Sequence, residues 1–571
     1  MSKFKTLYTP FENSDLTWDE YPRPQMVRDS FFSLCGTWHL SVLSDAEEKY
    51  VGEIAVPFPP ESRLSGIERA IGEREAYLYD KVFSFPSDFN RGRVLLHFGA
   101  VDQIAVVYLN GNRLGKHVGG YLPFSFDVTD YVLLEEENHI RVEVVDSLDS
   151  ELPYGKQRKD RGGMWYTPIS GIWQTVWMES VPKESIQGLK ISTDTKTVTV
   201  EFSPICGEKT LKIQTENGEM TCSTVENRFT VNIPNPHLWS PEDPYLYSFT
   251  LESGEDKISS YFAMRTITSK KIGNTSYLCL NDNPYFFHGV LDQGYFPDGI
   301  YLPASPEGYI NDIKAMKKLG FNMLRKHIKI EPDLFYYYCD KLGMVVFQDM
   351  VNSGEYHFFL DTALPTVGLK KGIRHRVSKE RKEQFEKDCE ETAKHLFNHP
   401  SVLYYTIFNE GWGQYGADGV YEKMKEIDST RIWDATSGWF REKKSDVVSE
   451  HIYFRKIRLK SNPDRPLVLS EFGGYSCNVC GHLFNEEKQY GYKTMKDMAT
   501  FDQSLRALYE SEVVPAIIKN GLCAAVLTQL SDVEDETNGL MTYDRQIVKC
   551  KEKTMRSIAV SLREALEKRV K

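Results

Sequence analysis

Two glutamates carry the chemistry for which this sequence can be read. Glu410 stands in Phe408-Asn409-Glu410-Gly411-Trp412, directly after the apolar and aromatic run 402–408. Glu471 stands in Ser470-Glu471-Phe472-Gly473-Gly474, after a second run, 466–469. An apolar run that stops abruptly at polar residues and glycine reads as a buried parallel strand with its chemistry at the C-terminal tip. Carboxyl groups on two such tips suit cleavage of a glycosidic bond, where one attacks and the other manages the proton. Surface glutamates after ordinary strands are the plain alternative.

Two tips can meet only if a larger sheet holds them. From residue 268 to 571 the chain alternates strand-like and helix-like stretches. Strands are predicted over 285–290, 321–325, 344–349, 401–408, 431–436, 446–451, 467–471 and 522–530. Helices are predicted over 307–319, 379–397, 503–519 and 550–568. Eight strands with interleaved helices match the count of a (β/α)8 TIM barrel, whose catalytic groups sit at the C-terminal strand ends. Those ends here carry His288, Arg325, Asp349, Glu410, Ser437, His451, Tyr453, Glu471 and Ser531-Asp532.

Two β regions precede the barrel. Residues 1–183 hold short strand-like runs at 36–42, 77–83, 93–98, 104–109 and 139–145, with Asn110-Gly111 placed for a tight hairpin. That pattern predicts a jelly-roll sandwich. Residues 184–267 hold shorter strands at 197–200, 211–213, 228–231 and 245–251, predicting an immunoglobulin-like sandwich without the antibody Cys-Trp-Cys spacing.

Composition narrows the function. A net charge of −12 argues against nucleic acid, whose phosphates demand basic surface. Neither a signal-peptide pattern nor a run of ~18 apolar residues is present, so no membrane span is expected. The 10 cysteines form no framework, which suits a reducing, cytoplasmic setting. Cys477-Asn478-Val479-Cys480, with His482 nearby, is a lone C-x-x-C and weak evidence for zinc; it could instead line the site entrance. The 9 Trp, 32 Tyr and 31 Phe could wall a sugar site, although most such rings are core.

Motifs in all three regions add a likeness. They are Tyr108-Leu109-Asn110-Gly111 and Ser170-Gly171-Ile172-Trp173, then Leu238-Trp239-Ser240-Pro241 and Phe262-Ala263-Met264-Arg265. In the third region come Gly320-Phe321-Asn322-Met323-Leu324-Arg325, Cys339-Asp340-Lys341-Leu342-Gly343, Asn409-Glu410-Gly411-Trp412 and Glu471-Phe472-Gly473. In this order and spacing the chain resembles glycoside hydrolase family 2, the β-galactosidase, β-glucuronidase and β-mannosidase group. The resemblance implies Glu410 as acid/base and Glu471 as nucleophile of a retaining double displacement, with carboxyl groups ~5–5.5 Å apart. Glu471 then has to be ionised, while Glu410 has to hold a proton near neutral pH.

Further residues take expected roles beside this pair. Asn409 is placed for the sugar 2-hydroxyl and Tyr453 for donation to Glu471, with His451 and Arg325 orienting the carboxylates. Trp412 and Trp439 either stack on the sugar or simply pack. Trp165 and Tyr166 are candidates for a rim contributed by the first region. No cofactor is required. Some relatives hold magnesium through an acid at the end of the third strand, so a divalent cation near Asp349 is the one metal expectation.

Departures from the family pattern bear on the sugar. Leu291-Asp292-Gln293 stands where a histidine and an acid usual in relatives would be, making Asp292 and Gln293 substrate candidates. His327-Ile328-Lys329-Ile330 and Thr528 replace other family residues. The asparagine–x–lysine with which β-glucuronidases grip a carboxylate is matched here by Glu536-Thr537-Asn538-Gly539, whose acid would repel an acidic sugar. A neutral, β-galactoside-like substrate is therefore favoured over a β-uronide, with Lys326, Lys329 or Arg545 as the cations that would reverse this. A binding protein with a decayed barrel is the reading from another class. The expected partner is a glycoside or oligosaccharide, with a homo-oligomer also open through the β regions. The long aromatic stretch 351–376 is expected to shape access.

Overall fold

Period-two alternation builds the first sandwich, as in Asn138–Val145, where inward residues are buried and their neighbours reach solvent. The computed structural model describes residues 4–366 and 377–571. Its first six-stranded antiparallel sheet runs Glu47–Val56, Gly36–Ser44, Glu75–Phe83, Asn138–Val145, Ile104–Leu109 and Asn112–Val118. A four-stranded sheet of Phe31–Ser33, Val176–Val181, Arg93–Phe98 and Phe124–Asp127 shares its apolar core. Asn110 and Gly111 turn the expected hairpin with φ of +50° and +79°, the left-handed pair a tight turn demands.

The second sandwich packs a three-stranded sheet on a four-stranded one around its own core. Trp239 anchors it to the third region, its indole N–H donating to the Asp340 carbonyl at 2.9 Å.

Eight parallel strands then form the barrel: β1 (Phe287–Asp292), β2 (Met323–Lys326), β3 (Val345–Asp349), β4 (Val402–Asn409), β5 (Ile432–Ser437), β6 (Val448–Ile452), β7 (Leu467–Gly473) and β8 (Leu522–Thr528). They pair in the order β5-β4-β3-β2-β1-β8-β7-β6. Between β5 and β6 the ring is joined by side chains, with Ser449 Oγ donating to the Thr436 carbonyl at 3.1 Å. All eight expected strands are present, each shifted by a few residues at most. β4 is buried along its whole length, which is why it reads as an unbroken apolar run.

The helix expected over 503–519 is broken. Met498–Leu508 passes through a π turn at Tyr509–Val513 into Val514–Asn520. Pro515, just inside the last piece, lacks the N–H that would continue a straight ladder. Of the stretch 351–376, residues 367–376 lie outside the described residues; before them Phe358–Ala363 forms another π turn. Among the described residues no helix is long and apolar enough to cross a membrane.

Candidate active site

Arg325, the third residue of β2, joins four strand tips. Its side chain is 1% exposed, and a buried guanidinium is stable only when anions and carbonyls surround it. Nε donates to Asp349 Oδ1 at 3.0 Å, and Nη1 to Glu471 Oε1 and the Ser470 carbonyl, both at 2.9 Å. Nη2 donates to Asn409 Oδ1, also at 2.9 Å. β2, β3, β4 and β7 are thereby held in register at their C-terminal ends. With Asn409 Oδ1 so occupied, its Nδ2 carries no bond among the described residues.

Glu471 is the more enclosed of the two glutamates. Its Oε2 accepts the hydroxyl proton of Tyr453, which also lies 3.0 Å from Thr528 Oγ1. Burial pushes this carboxyl up, but His451 and Arg325, then His327 and the Tyr453 hydrogen bond, outweigh it and hold the group at about 2. It is therefore a carboxylate at any ordinary pH.

Glu410 follows β4 in a strained turn. Its φ is +54°, a left-handed conformation that costs a residue with a Cβ about 1–2 kcal/mol. Three bonds fix it: Glu410 N–H to the Ser437 carbonyl at 3.0 Å, Trp412 N–H to the Asn409 carbonyl at 3.1 Å, and Trp439 Nε1–H to the Glu410 carbonyl at 3.0 Å. At Gly411, with φ of +74°, a Cβ would meet Phe440 Cδ2 at 2.2 Å, so only glycine fits.

His451 bridges the pair. Its Nδ1 lies 2.8 Å from Glu410 Oε1 and 3.6 Å from Glu471 Oε2, while Nε2 faces Ser437 Oγ at 2.8 Å. One oxygen of each glutamate and a ring nitrogen of His451 all lie within 4.8 Å of one another. Such spacing could suit a metal ion, but Arg325 and Tyr453 already bond both Glu471 oxygens, and the guanidinium supplies the positive charge. Asp349 does not fit a cation either. Its Oδ1 is taken by Arg325 and its Oδ2 lies 2.6 Å from His327 Nδ1. Both partners hold its carboxyl down against burial. The magnesium expectation finds no free oxygen there.

Glu410, His451 and Tyr453 open into a cavity of about 290 Å³ whose other walls include Trp439, Tyr490, Tyr492, Met164, Phe358 and Arg455. Trp439 thus faces the cavity. Trp412 does not: it is 2% exposed, donates to the Gly354 carbonyl at 2.7 Å, and packs edge-on against Trp165 and Tyr154. Of its two expected roles, packing is the one its surroundings allow. Trp165 lines an adjoining groove that shares Met164, Phe358 and Tyr490 with the cavity.

Asp292 and Gln293 hold the neighbouring tips together instead of lining the cavity. Asp292 pairs with Lys326 at 2.6 Å, and Gln293 Nε2 donates to Gln529 Oε1 at 2.9 Å. Cys477, Cys480 and His482 do not converge; Cys480 is exposed and His482 faces Asp544 at 2.7 Å. The expectations did not assign roles to Ser437, His327 or Tyr492, the last stacked on Tyr453 at 4.1 Å. The Tyr490-Gly491-Tyr492 pair of rings was the only local signal for that wall.

Three family profiles match in series: "Glycosyl hydrolase 2 galactose-binding domain-like" over residues 58–178, "Glycosyl hydrolases family 2" over 180–265, and "Glycosyl hydrolases family 2, TIM barrel domain" over 274–560. The last covers half the chain. The chain belongs to glycoside hydrolase family 2.

Among its family 2 relatives, a β-galactosidase of Thermoanaerobacter pseudethanolicus is 23% identical, covering 73% of this chain and 58% of its own length. A β-glucuronidase of Streptococcus agalactiae is 21% identical over 70% of this chain and 74% of its own. The chain spans about half the length of the curated relatives it matches, 58%, 40% and 41% of three of them. A β-D-glucuronidase structure from Dictyoglomus thermophilum superposes with a TM-score of 0.74 at 18% identity, covering 96% of this chain and 98% of that one. A β-galacturonidase of Eisenbergiella tayi gives a TM-score of 0.67 at 16% identity, covering 95% and 98%. At those identities the structures share the fold.

Proposed function

We propose that this chain is a retaining β-glycosidase that removes terminal, non-reducing β-linked sugars. The carrying observation is the approach of Glu410 and Glu471, an oxygen of each lying within 4.8 Å of the other. Retaining enzymes hold their carboxyl groups ~5–5.5 Å apart, whereas inverting ones need ~6.5–9.5 Å to admit a water between them. Glu471, ionised at about 2, attacks the anomeric carbon. Glu410 gives its proton to the leaving oxygen and then, as a base, activates the water that frees the sugar. Asn409 Nδ2 is free to bind the 2-hydroxyl, and Tyr453 and Arg325 hold Glu471 in line. The groove beside Trp165 offers aromatic walls for the leaving group.

Relatives named β-galactosidase and β-glucuronidase bracket the sugar. The preference for a neutral one rested on Glu536. That side chain is buried, accepts from Tyr166 and from Asn538 Nδ2 at 3.0 Å, and is pushed up by burial. Satisfied from within the protein, it presents little bare charge to a substrate, so the argument for a neutral sugar loses its main support. A panel of aryl β-glycosides differing at C4 and C6 tests the activity. Turnover that Glu471→Gln abolishes supports the reading; full activity in that variant removes it.

A further inference from the structure

Tyr453 does its work from an exposed position. Its hydroxyl donates to Glu471 and lies 3.0 Å from Thr528 Oγ1. Yet the residue is the first beyond β6, and Phe454, Arg455 and Lys456 after it are exposed. A side chain at the start of such a loop has several staggered conformations open to it, and the hydroxyl reaches the nucleophile only from the right one. The ring therefore needs support of its own.

Tyr492 supplies that support. Its ring stacks on that of Tyr453 with centroids 4.1 Å apart and planes 10° from parallel. Among the described residues no other ring pairs with Tyr453. Phe454 and Tyr490 meet Tyr492 edge-on, at 5.0 Å and 5.9 Å. Aromatic pairs in these geometries contribute beyond the area they bury.

Tyr492 is in turn built onto the chain that carries Glu471. Its N–H donates to the Gly474 carbonyl at 3.0 Å, and the Gly474 N–H donates to the Thr528 carbonyl at 3.2 Å. Gly474 has φ of +64°, and a Cβ there would lie 2.1 Å from Tyr492 Cδ2. Glycine is what lets the ring approach the backbone just beyond Glu471. Beside this contact Tyr475–Cys477 pairs in parallel with Lys493–Met495. Tyr490 ties the segment to the loop after β8, its N–H donating to the Asp535 carbonyl at 2.6 Å and its carbonyl accepting from Thr537 N–H at 2.9 Å. The place of the Tyr492 ring is thus set by the same strand that sets Glu471.

We infer that Tyr492 is a positioning residue whose ring holds Tyr453 in the conformation that donates to Glu471. This rests on the glycosidase reading above, in which Glu471 is the nucleophile. Tyr492 also faces the cavity, so a platform touching the sugar directly is the rival role.

The test uses the full chain, with Tyr492→Ala, Tyr492→Phe, Tyr453→Phe and the double variant Tyr492→Ala/Tyr453→Phe, each checked by thermal melting. On the aryl β-glycoside that the parent cleaves best, Tyr492→Ala should lower kcat/KM by about 10-fold or more, chiefly through kcat, the scale of a hydrogen bond to a charged group. Tyr492→Phe keeps the stack and should stay within about 3-fold of the parent. Once Tyr453 is Phe no hydroxyl is left to aim, so adding Tyr492→Ala should lower kcat/KM by less than about 3-fold more. The acid limb of the kcat/KM profile should move to higher pH in Tyr492→Ala as in Tyr453→Phe, because the Tyr453 hydrogen bond helps to hold the Glu471 carboxyl down. A loss of equal size in both backgrounds, or one carried by KM with an unmoved acid limb, overturns the assignment in favour of the platform. Tyr492→Leu, which fills part of the space without a ring to stack, answers the same way if the alanine variant melts below the assay temperature. Crystal structures of the parent and the Tyr492 variants give a reading that needs no turnover. The Tyr453 hydroxyl should leave bonding distance of Glu471 in Tyr492→Ala and keep it in Tyr492→Phe. If no glycoside is cleaved but the hydroxyl moves in this way, the glycosidase reading fails and the bracing of Tyr453 stands. If glycosides are cleaved and the hydroxyl stays in place in Tyr492→Ala, the bracing alone fails.

Discussion

Arg325 Nη1 lies 2.9 Å from Glu471 Oε1, and the same guanidinium bonds Asp349 and Asn409. One side chain therefore sets the position of Glu471, its charge and the orientation of the Asn409 amide. Arg325→Met should strand two buried carboxylates and lower stability by about 3–5 kcal/mol. Where the variant stays folded, the acid limb of its kcat/KM profile should move to higher pH, because Glu471 loses a charge that holds its proton off. Chemical denaturation and a pH–rate profile measure both. An unmoved acid limb would show that Arg325 does not act on Glu471.

The low position of Glu471 also enters folding. Its carboxyl lies at about 2 in the folded chain, below the ~4.3 of an unfolded glutamate. A depressed carboxyl adds stability that is present above the unfolded value and lost as pH falls through the folded one. The stability difference between parent and Glu471→Gln should therefore be widest above pH ~4.3 and narrow toward pH ~2. Denaturant titrations across that range give the answer, and a difference that widens in acid would reverse the sign argued here.

Tyr453 is the other direct partner of Glu471. Tyr453→Phe keeps the ring stacked on Tyr492 and removes only the hydroxyl. A hydrogen bond to a charged group is worth about 1.5–3 kcal/mol, so kcat/KM should fall by roughly 10–100-fold with little change in melting temperature. Steady-state kinetics beside a thermal melt check both halves.

The barrel was legible because buried parallel strands leave unbroken apolar runs, and β4 and β7 end those runs at Glu410 and Glu471. The first sandwich was legible through its alternation and through Asn110-Gly111. Much of the site was not. Arg325 reads as one basic residue at a strand end, and nothing local shows that it meets residues 84 and 146 positions away. Glu536 reads as exposed charge in sequence, yet Tyr166 satisfies it from 370 positions away.

Trp412 illustrates the same limit, since a tryptophan two residues after Glu410 at a strand tip suggests a sugar platform. Packed against Trp165 and Tyr154, it is core. Trp412→Ala should lower stability by about 3–5 kcal/mol, as for other buried aromatic deletions. Below its melting temperature the variant should keep a KM close to the parent's. A large rise in KM with unchanged stability would restore the stacking role.

In the double displacement proposed above, Glu471 forms the covalent bond to the sugar. This is tested most directly by trapping the chain with a 2-deoxy-2-fluoro β-glycoside of whichever sugar is cleaved, then mapping the adduct by peptide mass spectrometry. One fluorosugar is expected on the peptide that contains Glu471, and none after Glu471→Gln. A fluorosugar on Glu410, or hydrolysis with inversion and no adduct, would contradict it.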